Sequence, residues 1–182
     1  MSFMDLNHVF VKEKISFLFN TYEFYSEDGV LVGSAKEQNN FLNKIMQKSV
    51  IEFFDESDNL LFRLVKPFAF FKQHAELYDS NGVLIGKFIK KLISFKPQYY
   101  IFDQNNVEIG LLKGDFLSWN FTAYDNNNAQ LMKVDKKWNT VKEMFTTADN
   151  YQVTIQNSDL FDKRILFACP IVVDIIHNER KR

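Results

Sequence analysis

The chain has 182 residues, a length that suits one domain. Its 22 Lys+Arg against 23 Asp+Glu leave a formal net charge of −1, so no global field draws it to nucleic acid. Aromatics reach 16%, 20 of them Phe, while Gly (6) and Pro (3) are scarce, which excludes disordered and low-complexity classes.

The first residues, MSFMDLNHVFVKEK, have no cationic start followed by an apolar stretch, so nothing here reads as a secretory signal. The segment around Val9 to Phe19 reads as a strand. An internal repeat follows. The stretches 23–33 (EFYSEDGVLVG), 76–86 (ELYDSNGVLIG) and 100–110 (YIFDQNNVEIG) share an aromatic, a polar turn, further apolar strand positions and a closing glycine. Asp-Gly and Asn-Gly supply the positive φ of a tight hairpin, and Asn tolerates it. Weaker copies occupy 53–62 (FFDESDNLLF) and 121–131 (FTAYDNNNAQL). Turn centres near 29, 59, 82, 106 and 127 predict five hairpins and ten strands. With strands at 9–19 and 151–156 the total is about twelve. A repeated hairpin holds too few strands for a propeller blade, so the predicted fold is mainly β: a closed antiparallel barrel of about twelve strands. Gly33, Gly86 and Gly110 recur in the second strand of their hairpins, where glycine marks curvature or a close approach.

Between the hairpins lie two segments with open readings. Met4, Phe17, Phe19 and the pair Phe70-Phe71 read as core; the alternative is that Phe68-Ala69-Phe70-Phe71, after Pro67, is an exposed membrane-dipping tip. Lys87, Lys90, Lys91 and Lys96 are interleaved with Leu92, Ile93, Phe95 and Tyr99. They read either as a face for anionic headgroups or as solvated strand-edge lysines that block edge pairing. Arg180, Lys181 and Arg182 would add to the first reading, or belong to a disordered tail over 178–182.

The end of the chain leaves the β pattern. Ser158 and Asp159 offer a cap and first-turn acid for a helix over about 159–177. Its residues, Ile165, Phe167, Cys169 and Val172 among them, are apolar on nearly every side, so protein or lipid must bury it. A strand built on the same β-branched residues is the alternative. Pro170 should bend the helix. The apolar run from Ile165 to Ile176 would rise roughly 18 Å, against about 30 Å of bilayer hydrocarbon. Barrels of eleven strands enclose a central helix, so a twelve-stranded one admits a helix about 10–12 Å across. The expectation is a single domain over 1–182, a barrel threaded by its own C-terminal helix. Asp174 must then lie near an end of the barrel or pair with a Lys or Arg, because an unpaired buried carboxylate is costly.

Residues 137–151, KWNTVKEMFTTADNY, resemble the phospholipid scramblase family, whose pattern is a Trp, a short spacer and Phe-Thr-x-Ala-Asp-Asn-aromatic. Asp162-Lys163-Arg164, Ala168-Cys169 and Asp174 follow in the family's order. The resemblance implies the fold that scramblases share with the tubby C-terminal domain and the LURP-one-related proteins, a twelve-stranded barrel around a buried helix. It also implies a membrane-associated protein that binds or moves phospholipids, with Ca²⁺ as activator in some members. The corresponding candidate ligands are Asp149, Asn150 and Asp159. Thr147 stands where the family has its first Asp, and Gln152 where a calcium loop wants Gly. Calcium takes six to eight oxygens and this segment offers few, so no cofactor is certain.

No catalytic pattern appears: Gly-x-Ser-x-Gly, His-Glu-x-x-His, Cys-x-x-Cys and the P-loop are all missing from the sequence. His8, His74 and His177 are scattered, the last suited to a helix C-terminus. Cys169 is the one cysteine; it excludes an internal disulfide, fits a reducing compartment, and should be an inert buried thiol. The expected protein is not an enzyme. It binds phospholipid or an anionic membrane surface, in the cytoplasm or peripherally on the inner face of the plasma membrane. The alternative is a soluble interaction or scaffold module.

Overall fold

The computed structural model describes residues 1–15, 20–38, 45, 48–69, 73–96, 98–115, 120–135, 150–156 and 161–177. Twelve strands form one closed antiparallel barrel in chain order. They are β1 (His8–Ile15), β2 (Asn20–Tyr25), β3 (Leu31–Glu37), β4 (Ser49–Asp55), β5 (Leu60–Lys66), β6 (His74–Asp79), β7 (Leu84–Lys90), β8 (Gln98–Asp103), β9 (Glu108–Asp115), β10 (Asn120–Asp125), β11 (Gln130–Asp135) and β12 (Asn150–Ile155). β1 closes the ring by pairing with both β2 and β12, in the second case from His8 opposite Thr154 to Lys12 opposite Asn150. The five hairpins stand where the repeat predicts them; of the two further strands, β1 covers His8–Ile15 of the expected 9–19, whose residues 16–19 lie outside the described residues, and β12 runs one residue earlier than the expected 151–156.

The hairpin turns share one geometry. In β6–β7, the Gly82 N–H donates to the Asp79 carbonyl at 3.1 Å, and the Asp79 N–H donates to the Val83 carbonyl at 2.9 Å. The Asp79 carboxylate accepts from the N–H groups of Asn81 (2.9 Å) and Val83 (2.8 Å). Asp55, Asp103 and Asp125 repeat both side-chain bonds, and the Ser26 hydroxyl accepts one in the first hairpin. Each turn has one residue of positive φ, its fourth: Gly29, Asp58, Gly82, Asn106 and Asn128. This is a type I turn closed by a bulge, so one left-handed position suffices.

Gly33, Gly86 and Gly110 sit opposite Asp55, Asp103 and Asp125 of the next hairpin. A Cβ there would lie 2.6, 2.5 and 2.4 Å from the carbonyl oxygens of Phe54, Phe102 and Tyr124. Glycine at these positions permits a close approach of neighbouring strands.

The hairpin turns form one rim of the barrel, the turn rim. The connections β1–β2, β3–β4, β5–β6, β7–β8, β9–β10 and β11–β12 leave from the other, the connection rim. β12 ends at the turn rim, where the Ile155 N–H donates to the Asn7 carbonyl at 2.7 Å. The helix α1 (Lys163–His177) enters there. The Lys163 ammonium donates to the Met4 and Leu6 carbonyls at 3.2 and 3.4 Å. The Asp162 carboxylate caps its first turn by accepting from the Arg164 N–H at 2.9 Å. The start is therefore later than the predicted residue 159, and the capping side chain is Asp162; Ser158 and Asp159 lie outside the described residues.

From Ile165 to Ile176 every residue of α1 is buried inside the barrel, which settles helix against strand. Pro170 is accommodated within it. The surrounding core is aromatic at the turn rim. Phe3, on a short 3-10 turn, stacks on Phe24 at 4.5 Å between ring centroids and meets Phe167 of the helix edge-on at 4.9 Å. Phe53 and Phe62 stack at 4.0 Å. Met4 packs against this cluster, partly buried, and Phe17 and Phe19 lie outside the described residues. Asp174, 3% exposed, lies near the far end of the helix and accepts a 2.5 Å hydrogen bond from the Tyr22 hydroxyl of β2. Its place near the end of the helix is one of the two the sequence allowed, and a hydrogen bond there comes from a tyrosine hydroxyl.

Candidate functional site

Closure of the barrel removes one reading of the lysines. A ring of twelve paired strands has no edge to protect. What remains is their position. Lys90 ends β7, and residues 91–96 form a tip on the connection rim. Backbone bonds clamp its base: the Lys90 N–H donates to the Gln73 carbonyl at 3.0 Å and the Lys91 N–H to the Gln98 carbonyl at 2.8 Å. The Ser94 hydroxyl donates to the Lys96 carbonyl at 2.6 Å and holds the bend. With the ends fixed, Leu92, Ile93 and Phe95 project into solvent at 73%, 89% and 112% relative exposure. Three large apolar side chains in one short loop are a contiguous exposed patch of the kind that marks an interaction site.

The predicted lysines divide around this tip. Lys91 places its ammonium 5.6 Å from the centre of the Tyr100 ring, and Lys90 donates to the Gln73 side chain at 3.0 Å. Lys96 is exposed at the far side of the tip. Lys87 stands apart, three residues back along β7 and about 10 Å down the wall. The geometry brings together Lys90, Lys91 and Lys96 and leaves Lys87 as a flank.

Of the residues proposed for calcium, only Asn150 falls among the described residues. Asn150 opens β12 directly opposite Lys12 of β1, and Gln152 lies in the same ladder between Phe10 and Asp135. Thr147, Asp149 and Asp159 lie outside the described residues. An amide facing a lysine is a poor start for a cation that wants six to eight oxygens. Among the described residues no group of three or more His, Cys, Asp or Glu side chains is arranged to hold a metal ion.

Ile165, Phe167, Cys169 and Val172 are fully or almost fully buried in α1 and serve packing. The Cys169 thiol donates to the Ile165 carbonyl at 3.3 Å, and burial pushes its pKa far up, which leaves it unreactive. His8 pairs with Glu27 at 2.9 Å on the turn rim and His74 opens β6, so the two do not meet.

Two features of the connection rim escaped the sequence reading or were left open by it. Ile45, in the β3–β4 connection, is 63% exposed. Phe68, in the β5–β6 connection, is 46% exposed; Phe70 and Phe71, on which the core reading fell, lie outside the described residues. Beside Phe68 an open cleft of about 500 Å³ runs onto the outer wall, lined by Lys48, Val65, Pro67, Glu76 and Tyr78.

The profile of the Scramblase family matches residues 17–180, nearly the whole chain. The protein belongs to the Scramblase family. Among solved structures, a protein from Arabidopsis thaliana superposes with a TM-score of 0.59 at 14% identity, covering 96% of this chain and 92% of that one. That likeness carries the fold alone. No curated protein matches the chain. Among the described residues of this Scramblase-family barrel, no helix is long and apolar enough to cross a membrane.

Proposed function

We propose that this Scramblase-family protein docks peripherally on anionic phospholipid surfaces through the β7–β8 tip. The observation that carries the reading is that tip: Leu92, Ile93 and Phe95 exposed together, with Lys90, Lys91 and Lys96 at its base and side. The apolar residues supply insertion at the level of the headgroups and acyl boundary. Each lysine near an anionic surface contributes about 1 kcal/mol. Family membership supports the phospholipid as partner. The docking makes and breaks no covalent bond, needs no Ca²⁺, and puts the protein on the cytoplasmic face, where anionic lipids concentrate.

The test is co-sedimentation with vesicles of phosphatidylserine and phosphatidylcholine, against phosphatidylcholine alone, at low and high salt. Binding should require phosphatidylserine, weaken with salt and persist in chelator. The Lys91→Glu/Lys96→Glu variant should lose about thirtyfold in affinity, the equivalent of about 2 kcal/mol. Absence of vesicle binding in every condition would leave the barrel as a soluble interaction module. A fluorescent-lipid transbilayer assay on the same vesicles asks whether docking also speeds lipid exchange between leaflets.

A further inference from the structure

We infer that the docking surface is an arc of three neighbouring connections, with the β7–β8 tip as one prong, and that the barrel stands end-on, its turn rim facing away from the membrane. The inference rests on the membrane reading above and adds two contact points and an orientation to it. Ile45, Phe68 and the 92–95 tip come from the β3–β4, β5–β6 and β7–β8 connections. The strands β3 to β8 are consecutive around the ring, so these connections follow one another along the same rim. Each is two strands from the next, about 10 Å. All three carry exposed apolar side chains, at 63% for Ile45, 46% for Phe68 and more at the tip.

Charge separates the two ends. The described connection residues 38, 45, 48, 67–69, 73 and 91–96 contain three lysines, Lys48, Lys91 and Lys96, and the strand ends beside them add Lys66, Lys90 and one acid, Glu37, with Asp115 and Asp135 ending strands elsewhere on this rim. The five hairpin turns contain no Lys or Arg. They carry Glu27, Asp28, Glu56 and Asp58, and the turn-opening carboxylates Asp55, Asp79, Asp103 and Asp125. The turn rim also exposes apolar residues, Met1, Val30 and Leu31 about the first hairpin and Val83 and Val107 singly in two others, set among these acids with Lys163 and Arg164 at the helix entry. An anionic bilayer attracts the first rim and repels the second. Electrostatics therefore chooses between two ends that both expose apolar side chains, and this sets the axis of the barrel toward the membrane normal.

The experiment places one environment-sensitive fluorophore at a time on an introduced cysteine, at Ile45→Cys, Phe68→Cys, Phe95→Cys, Val83→Cys or Val107→Cys. The buried Cys169 is inaccessible to the label. Each protein is bound to phosphatidylserine-containing vesicles with nitroxide-bearing lipids. Labels at 45, 68 and 95 should shift to the blue and lose emission to the nitroxide, and labels at 83 and 107 should do neither. As a second measure, Ile45→Ser/Phe68→Ser, with the tip intact, should lose about tenfold in vesicle affinity. Quenching at 95 alone, or quenching at 83 or 107, overturns the arc and the orientation while leaving tip docking in place. Failure of the unlabelled protein to bind any vesicle removes the docking reading itself, and the arc with it.

Discussion

Asp174 and Tyr22 meet inside the barrel across 152 residues of sequence. A buried carboxylate needs a donor, and that much was legible from an acid set in an apolar helix. Which donor was not, because no spacing rule links a strand near the start of the chain to a helix at its end. Tyr22→Phe removes the hydroxyl and leaves Asp174 short of a bond, which should cost about 1.5–3 kcal/mol in urea-monitored unfolding. The phenols of Tyr22, Tyr99 and Tyr151 are all pushed above the ordinary tyrosine range by burial, and Asp174 nearby adds to the effect at Tyr22 and Tyr151. The folded chain thus holds protons that the unfolded chain releases near pH 10. Stability from these groups is complete below pH 10 and is lost as pH rises above it. Each buried phenol should contribute a fall of about 1.4 kcal/mol per pH unit in that range. Denaturant midpoints measured from pH 9 to 11.5 check the slope, and Tyr99→Phe should flatten it by one phenol's share.

Hairpins are local objects, and their sequence repeat therefore reports them faithfully. The turn residues lie within five positions of one another, and the same Asp side chain ties two of their N–H groups. Asp79→Ala should cost about 1 kcal/mol for the lost bonds. The glycines separate two physical roles. Gly82 has φ +85° and open space for 4 Å around the place a Cβ would take, whereas Gly110 would set a Cβ 2.4 Å from the Tyr124 carbonyl. Gly110→Ala must therefore push two paired strands apart, at about 1–3 kcal/mol of overpacking, while Gly82→Ala carries only backbone strain of about 1 kcal/mol. Thermal unfolding of the two variants ranks them. The helix start was less legible than the hairpins. Ser158, Asp159 and Asp162 all offer capping oxygens, and local sequence does not choose among them. The anchor of Lys163 on the Met4 and Leu6 carbonyls is tertiary, and it goes with a helix that begins at Lys163.

At the scale of the whole molecule, counting hairpins and asking where an all-apolar helix could hide was enough to reach a closed barrel around its own C-terminus. The polarity of its two rims was harder to see. It resides in the connections between hairpins, which the repeat search passes over as gaps. Sequence does carry the signal: the turns read SEDG, DSNG or DQNN, while the chain between hairpins includes SFLF at 16–19 and FLSW at 116–119, segments whose structure lies outside the described residues. Only the ring order of the strands turns that alternation into two ends, one with acidic turns and one whose described arc from β3 to β8 is rich in lysine and exposed apolar side chains. Because α1 fills the barrel, the outer surface and the connection rim are where a lipid can be met. The most direct measurement is the vesicle affinity of Leu92→Ser/Ile93→Ser/Phe95→Ser beside the parent protein, with circular dichroism to confirm the barrel. The account predicts an unchanged fold and a loss of at least about a hundredfold in binding to phosphatidylserine vesicles, since three apolar side chains no longer leave water. An unchanged affinity with an intact barrel would contradict it.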